Sequence, residues 1–170
     1  MDNQQERLTS WFAGILDGEG SVSFQVYTLP DGRVRITPYM CIVNSDAGIL
    51  KHSMEWLQAA SAGGKHGKPR ICGVIGTNRA CSNIRLDGVA CGPVLQKLLP
   101  FLRSDQKKRN AEVVLQYLEG RAQNLLIRGA HGRIHRAAYT RAEIELISSI
   151  RNHSAAKSSE AICQAPNVIG

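Results

Sequence analysis

Two carboxylates lie close together after an apolar segment near the start of the chain. Asp17 and Glu19 follow the apolar residues 12–16 and are separated by a single glycine. A short helix capped by Thr9 or Ser10 would place both acids at its C-terminal end, where the helix dipole is already negative. Acids crowded at that end favour a cation, and hard divalent ions such as Mg²⁺ take oxygen ligands of this kind. From the residues alone, an ordinary helix that ends in a glycine-rich turn with two solvated acids is the alternative.

Small residues precede the two acids on the same predicted helix. Ala13, Gly14 and Gly18 are all small, and the two glycines lie one helical turn apart. Glycine inside a helix costs roughly 1 kcal/mol relative to alanine, so a compensating contact is expected. A face without bulky side chains lets the backbone of another helix come close, which predicts a helix–helix contact here.

The elements that would position these acids follow from the hydrophobic periodicity of the chain. Residues 21–27 and 33–43 alternate between apolar and polar side chains, as half-buried strands do, and Pro38 indicates an edge strand or a bulge. A helix capped by Asp46 comes next, and the later segments are two strands followed by three helices. They lie at about residues 70–75, 79–86, 93–102, 104–119 (a helix stopped by Gly120) and 140–151. This order predicts an α+β fold with an antiparallel sheet.

Composition limits the classes of function. The 170 residues suit one domain, placed at residues 1–154, and a small, polar tail over 155–170 that is expected to be disordered. A net charge of +7 and a pI of about 9.4 favour an anionic partner, either nucleic acid or an acidic membrane surface. No apolar stretch is long enough to span a bilayer.

The cysteines and the N-terminus indicate the compartment. The five cysteines form no C-x-x-C pair, which argues against a zinc cluster, and a disulfide framework is not expected without a signal peptide. The first residues include acids and no apolar run, unlike a secretory signal. We therefore expect an intracellular protein with reduced thiols, in the cytoplasm or an organelle matrix, and not a secreted one.

Residues 12–20 (FAGILDGEG) resemble the LAGLIDADG motif of homing endonucleases, with Gly18 and Glu19 at its seventh and eighth positions. Later segments resemble further landmarks of that family, and the resemblance covers about residues 9–152. The landmarks are Asn44-Ser45-Asp46-x-x-Ile49-Leu50, then Leu99-Pro100-Phe101-Leu102 before a basic helix, then Tyr139-Thr140-x-x-Glu143. The resemblance implies an αββαββα core with a saddle-shaped antiparallel sheet and extra C-terminal helices.

The resemblance also implies roles for the motif residues. Two motif helices pack together in this family, and this chain has one motif, so a homodimer is expected with Ala13, Gly14 and Asp17 in its interface. Glu19 matches the catalytic, metal-binding acid, and the backbone carbonyl of Gly18 is expected to face the same Mg²⁺ or Mn²⁺. Asp17 matches a position that more often supports the helix end than binds the metal directly.

One position departs from the family pattern. Many members carry a lysine shortly after the Pro-x-Leu landmark, where this chain has Asp105. Lys107 is the best remaining candidate for positioning water or stabilising charge at the catalytic centre. The alternative for Lys107 is a solvated helix face that contacts the DNA backbone. The departure keeps open a second function, a non-cleaving nucleic-acid-binding relative such as an RNA maturase or a regulator.

The substrate that the resemblance implies is double-stranded DNA, hydrolysed at a long pseudo-palindromic site, without a membrane or a small-molecule substrate. In this family the polar face of the sheet lies along the DNA major groove, where Arg, Gln and Asn can read base edges. Eleven residues are predicted on that face, each with a solvated strand position as its alternative. They are Gln25, Tyr27, Arg33, Arg35, Thr37, Tyr39, Lys68, Arg70, Arg79, Asn83 and Arg85.

Overall fold

The computed structural model describes residues 3–61, 69–73, 81–123, 127–128, 134–135, 137–150 and 162–169. The helices in these residues are α1 (Asn3–Glu19), α2 (Ala47–Ser61), α3 (Cys91–Leu98), α4 (Asp105–Gln123) and α5 (Arg141–Ser148). The strands are β1 (Gly20–Thr28), β2 (Val34–Asn44), β3 (Arg70–Gly73), β4 (Ser82–Asp87), β5 (Ile127–Arg128), β6 (Ile134–His135), β7 (Tyr139–Thr140) and β8 (Val168–Ile169). The predicted order of helices and strands, with extra helices after the αββαββα core, is confirmed.

The first four strands form one antiparallel sheet in the order β1-β2-β4-β3. β1 and β2 make a hairpin whose turn passes through Gly32 at a φ of +82°, a backbone region that residues other than glycine seldom adopt. Buried and less buried residues alternate along β2, so one sheet face packs into the core and the other carries the polar side chains. The predicted antiparallel sheet is therefore confirmed.

Pro38 marks the point where β2 changes from an edge strand to a central one. β2 pairs with β4 only from Tyr39 onward, one residue after the proline. Before that point the free side of β2 forms hydrogen bonds with groups outside the sheet. Val34 N–H donates to the Asn167 side chain at 2.8 Å, and Ile36 N–H donates to the hydroxyl of Tyr139 at 3.1 Å. Pro38 follows the same two-residue repeat, so its missing N–H falls on this edge and removes no ladder bond. The edge prediction thus holds for one half of the strand.

The core lies between the apolar sheet face and the helices. Phe12 of α1 stacks on Trp56 of α2 with ring centroids 4.3 Å apart, and Phe24 of β1 packs edge-on against Tyr117 of α4 at 5.0 Å. Burying one such large apolar side chain contributes about 1.5–3 kcal/mol. Phe12 and Leu16 are completely buried, so α1 is fixed along its apolar side and its acidic end has a defined position.

Helix starts predicted from capping residues are confirmed. The Asp46 carboxylate accepts the N–H groups of Gly48 and Ile49 at 2.7 and 3.0 Å. Thr140 and Glu143 form a capping box at the start of α5. α1, by contrast, begins at Asn3 rather than near Thr9. Residues 4–7 are good helix formers without apolar periodicity, so the sequence pattern did not reveal this part of the helix.

α4 continues through Gly120 to Gln123, so the prediction that Gly120 ends this helix is wrong. Arg121, beyond the glycine, donates to the carbonyls of residues 137 and 138 at 2.9 and 3.1 Å and lies over the Tyr139 ring. These contacts offset the cost of glycine inside a helix, which is about 1 kcal/mol. In the described part of the chain, no helix is long and apolar enough to cross a membrane.

Residues 162–169 pack against the body of the domain. Ile162 is 1% exposed, β8 pairs in parallel with β7, and the Asn167 side chain also donates to the Val34 carbonyl at 2.8 Å. For these residues the structure differs from the expected disorder, because they cover the free half of β2. The other residues of the tail, 155–161 and 170, lie outside the described residues.

Candidate functional site

The C-terminal end of α1 places Glu19, one of the two predicted acids, at the surface. Glu19 ends α1 and Gly20 begins β1, so the chain turns from helix to strand without a loop. A Cβ atom on Gly20 would lie 2.6 Å from the carbonyl oxygen of Leu16, which makes glycine necessary at the turn. The Glu19 side chain is exposed and has no hydrogen bond or ion pair with any described residue. An unpaired carboxylate at the negative end of a helix dipole favours a bound cation.

Asp17 has a different environment from Glu19. It is partly buried, and its Oδ2 accepts the backbone N–H of Arg103 at 2.7 Å. This bond ties the end of α1 to the segment before α4, in line with a supporting role for Asp17. The other carboxylate oxygen, Oδ1, is buried and has no hydrogen-bond partner among the described residues. A buried oxygen of this kind needs a donor or a cation nearby.

Lys107 lies against the free edge of the sheet beside this site. Its Nζ donates to the carbonyl oxygen of Gly20, and Asn110, one turn further along α4, donates to the carbonyl of Val22 at 2.9 Å. β1 has no neighbouring strand on that side in the four-stranded sheet, so the two side chains satisfy carbonyls of an open edge. The bond also holds the Lys107 ammonium at the residue that follows Glu19. Asp105 lies exposed in the first turn of α4.

The oxygen ligands at this end of α1 suit a hard cation but do not complete a site. Within the described residues, no three His, Cys, Asp or Glu side chains cluster closely enough to hold a metal ion. The Glu19 carboxylate, the Gly18 carbonyl and the unpartnered Oδ1 of Asp17 are the oxygen donors that one chain offers here. Divalent ions such as Mg²⁺ take about six oxygen ligands. The donor set therefore fits a cation that also takes ligands from water, a phosphate or a second copy of the chain.

An open stripe runs along the outer side of α1 toward Glu19. A Cβ atom added at Gly14 or Gly18 would meet nothing within 4 Å. Leu8 and Trp11, at the same helical spacing, are 49% and 37% exposed and line a groove of about 830 Å³ between α1 and α2. Exposed apolar groups beside bare backbone are typical of a surface that receives another helix.

Ala13 lies on the other side of α1 from that stripe. It is completely buried in the core of its own chain, beside Phe12. The structure therefore differs from the expected interface role of Ala13, because the apolar periodicity that includes Leu16 turns this residue inward. Of the three small residues, the two glycines are the ones left open.

The polar face of the sheet holds a connected group of charged and polar side chains. Arg85 donates from Nε to Asp87 at 2.6 Å and from Nη2 to the side-chain oxygen of Gln25, while its Cζ lies 4.2 Å from the centre of the Tyr39 ring. Arg70 donates to the other Asp87 oxygen at 2.9 Å. Burial lowers the pKa of Arg85, but the hydrogen bond and charge of Asp87 outweigh it, so the pKa is raised. We call these five residues the Arg85 group.

The remaining residues predicted on this face are more scattered. Arg35 and Tyr27 are exposed and lie opposite each other on β2 and β1, and Thr37 is half-buried next to Gln25. Arg33 lies in the hairpin turn, where it pairs with Asp31 at 2.6 Å. Asn83 is half-buried with an unpartnered Oδ1 among the described residues. Lys68 and Arg79 lie outside the described residues.

Two residues of the site were missed from the sequence. Asp87 was not considered because an acid is unexpected on a surface that is predicted to contact DNA. Asp87 nevertheless follows the two-residue repeat of Asn83 and Arg85. Asn110 was not considered because its role depends on the edge of a strand that lies far away in the chain. The repeat could have revealed Asp87, whereas no local signal identifies Asn110.

Cys41 shares the polar face with these groups, between Ser21 of β1 and Arg85 of β4 in the strand register. Burial raises the pKa of its thiol. Cys91 is completely buried in the core, and burial raises the pKa of its thiol to about 12. Both thiols are therefore protonated near neutral pH.

Comparisons with known proteins bear on the fold. No family model and no curated protein matches the chain. Among solved structures, the homing endonuclease I-CvuI in complex with its target is 17% identical, with a TM-score of 0.66 over 95% of this chain and 94% of that chain. The archaeal intron-encoded homing endonuclease I-Vdi141I, complexed with DNA, is 16% identical, with a TM-score of 0.62 over 93% and 94%. The LAGLIDADG homing endonuclease I-SmaMI, bound to cleaved DNA, is 15% identical, with a TM-score of 0.57.

The coverage of these chains differs in an informative way. This chain covers nearly all of I-CvuI and I-Vdi141I, but 92% of it covers only 47% of I-SmaMI. The fold of nearly the whole chain thus recurs in all three structures, as half of the longer I-SmaMI chain. The chain has the fold of the LAGLIDADG homing endonucleases.

Proposed function

We propose that the chain is a site-specific, divalent-metal-dependent DNA endonuclease that works as a homodimer. The observation that carries the proposal is the unpaired Glu19 carboxylate, which lies at the end of the open stripe of α1 in a chain with this fold. The DNA complexes of the similar structures support the substrate class. The proposal has three parts, which concern assembly, chemistry and DNA binding.

The homodimer would form through the open stripe of α1. Gly14 and Gly18 allow two helix backbones to approach closely, and Leu8 and Trp11 would lose exposed apolar surface on contact. A two-fold axis brings the same surface of both copies together, so the two Glu19 carboxylates would converge at one end of the helix pair. Two carboxylates at such a short distance repel each other unless a cation lies between them.

The residues of the chain that would hold the cation are Glu19, through its carboxylate, and Gly18, through its carbonyl. When bound there, a divalent ion would supply a nucleophilic hydroxide at neutral pH and would stabilise the charge of the leaving oxygen. Asp17 would keep the end of α1 in place through its bond to Arg103. Lys107 would place a positive charge beside Glu19, where it can stabilise the charge of a phosphate.

DNA would lie on the polar face of the sheet. The net charge of +7 attracts a polyanion at long range, and Arg35, Arg70 and Gln25 can donate to base edges or phosphates. Binding should therefore weaken steeply as the salt concentration rises.

The test is selection of cleaved molecules from a randomised double-stranded DNA library in Mg²⁺, with Ca²⁺ as a parallel arm. The wild type should enrich one pseudo-palindromic site in Mg²⁺, bind that site in Ca²⁺, and show a mass about twice 18.6 kDa by light scattering. Glu19→Gln keeps the size of the side chain and should reduce cleavage at least about a hundredfold while binding persists. Glu145→Gln removes one carboxylate from an exposed pair on α5 and serves as the charge-matched control. Full cleavage by Glu19→Gln contradicts the proposal.

One observation favours a second function, nucleic-acid binding without cleavage. Asp105 occupies the position where the family pattern has a lysine, and the Lys107 ammonium already bonds the Gly20 carbonyl. Such a protein would select a site from the library in Ca²⁺ and leave it uncut in Mg²⁺ and in Mn²⁺.

A further inference from the structure

The Arg85 group connects strands that are not neighbours. Gln25 lies on β1 and Arg85 on β4, with β2 between them. Arg85 reaches across β2 by lying over the Tyr39 ring, and its Nη2 donates to the Gln25 side chain. The Arg85 side chain is only 19% exposed, so it is largely enclosed by these contacts and by Asp87.

The contact fixes which end of the Gln25 amide is free. A guanidinium has donors and no acceptor, so the atom of Gln25 that faces Arg85 must be the oxygen. A further donor at that oxygen would have to approach the cation. The amide nitrogen, with its two N–H groups, is therefore the part of Gln25 available to another molecule.

The orientation of Gln25 matters for the choice of base. Glutamine usually recognises adenine by accepting from N6 and donating to N7, which requires both ends of the amide. An amide whose oxygen faces the Arg85 cation presents its N–H groups, and these meet the N6 amino group of adenine with like polarity. Guanine presents two acceptors on its major-groove edge, N7 and O6.

We propose that the Arg85 group is a specificity unit in which Gln25 reads guanine and rejects adenine, with Arg85 as the residue that positions the Gln25 amide. The inference deepens the proposed function and rests on it, because it assumes DNA on this face of the sheet. Arg85 acts through Gln25 and does not itself read a base. Asp87 holds Arg85 through one oxygen and Arg70 through the other, so a single acid orients two arginines.

The experiment compares the base preferences of variants on randomised duplexes, measured by binding in Ca²⁺ so that cleavage is not required. Gln25→Ala identifies the base pair that Gln25 reads, as the position where preference is lost. At that pair the wild type should prefer guanine over adenine by about tenfold or more. Arg85→Met removes every donor at similar length and frees the amide to rotate, so adenine should come within about threefold of guanine at the same pair. The double variant should match Gln25→Ala there.

Two further variants separate positioning from a general structural role. Arg85→Lys retains a donor for the Gln25 oxygen and should keep the guanine preference. Asp87→Asn loosens Arg85 and should reduce the preference by about threefold, a fraction of the discrimination of one base contact. Glu145→Gln makes the same change in net charge away from the sheet and should leave the base ratio unchanged while non-specific affinity rises. Thermal unfolding of each variant checks that it is folded.

The outcomes distinguish this inference from the proposed function. A wild type that selects no sequence overturns both. A wild type that selects a site with adenine at the Gln25 pair overturns the specificity unit alone. So does an Arg85→Met profile that changes at a different base pair from Gln25→Ala, because Arg85 would then read its own base.

Discussion

Charges at the end of α1 and on the polar face of the sheet are arranged in contrasting ways. Glu19 has no partner among the described residues, whereas Arg85, Asp87 and Arg70 are joined by bonds of 2.6 and 2.9 Å. An exposed lone carboxylate costs little in one chain, but two of them brought together on a dimer axis would repel. A paired arginine has already lost side-chain freedom and is held in one orientation.

The difference indicates what each region requires for function. In the proposed function, a second copy, a cation and a phosphate complete the end of α1, so changes there should act on assembly and rate. The sheet face is preorganised within one chain, so changes there should act on the choice of sequence. Measurements of stability, assembly and cysteine reactivity can test whether the two regions act separately.

The largest expected effect concerns the open stripe. Gly14→Leu places a side chain where nothing lies within 4 Å, so the monomer should fold normally. The same side chain would keep a second α1 helix away, and the dissociation constant of the proposed dimer should rise by up to about a hundredfold, since overpacking a close contact typically costs about 1–3 kcal/mol. Analytical ultracentrifugation measures this constant. Gly120→Leu is the matched control, because Gly120 also lies within a helix and has open space at its Cβ. Equal dimerisation of the two variants would show that the stripe is not the interface.

Asp17 and Glu19 should differ in their effect on stability. Asp17→Ala removes the acceptor of the Arg103 N–H and should lower the free energy of unfolding by about 1–2 kcal/mol. Glu19→Ala removes an exposed side chain without partners and should change it by less than about 0.5 kcal/mol. Urea unfolding of both variants at low protein concentration, where the proposed dimer would be dissociated, gives the comparison. A large loss for Glu19→Ala would mean that its carboxylate serves the fold.

Lys107 is relevant to both regions, because it lies beside the end of α1 and bonds the edge of the sheet. Lys107→Met removes the donor to the Gly20 carbonyl, and Asn110→Leu removes the donor to the Val22 carbonyl. Each should lower the free energy of unfolding by about 1 kcal/mol, because each leaves an edge carbonyl without its partner. Cleavage should fall further in Lys107→Met than in Asn110→Leu, yet remain well above that of Glu19→Gln. Identical cleavage rates in the Lys107 and Asn110 variants would assign Lys107 a structural role only.

The smallest expected effect is on the rates at which the cysteines are alkylated, and it can be measured without a substitution. Thiolates are the reactive form of cysteine, and burial raises the pKa of Cys41 and raises that of Cys91 to about 12. At pH 8 an alkylating reagent should therefore modify Cys41 slowly, and the buried Cys91 only after unfolding. The selected DNA duplex should slow the modification of Cys41, which lies on the polar sheet face, and leave Cys163 unaffected. Peptide mass spectrometry follows each site, and protection of Cys163 instead would place the DNA elsewhere.

Local patterns in the sequence were enough for much of the fold. The alternation through β1 and β2, the caps at Asp46 and Thr140, and the acids at the end of α1 all depend on residues within one turn or one strand pair. Such patterns act through backbone geometry that repeats every 2 or 3.6 residues, so they can be read without knowledge of distant contacts. The predicted start of α1 and the predicted end of α4 were wrong. Helix propensity at the start of α1 and packing beyond Gly120 oppose the local sequence pattern.

The tertiary structure alone decided how the candidate site is assembled. Gln25 and Arg85 are 60 residues apart and meet only because of the strand order β1-β2-β4. Ala13 turns inward while Gly14 remains open, and Lys107 reaches an edge carbonyl of β1, because α1 and α4 are fixed against the same sheet. Contacts of this kind depend on register and packing between elements far apart in the chain, and no short-range pattern of residue types encodes them.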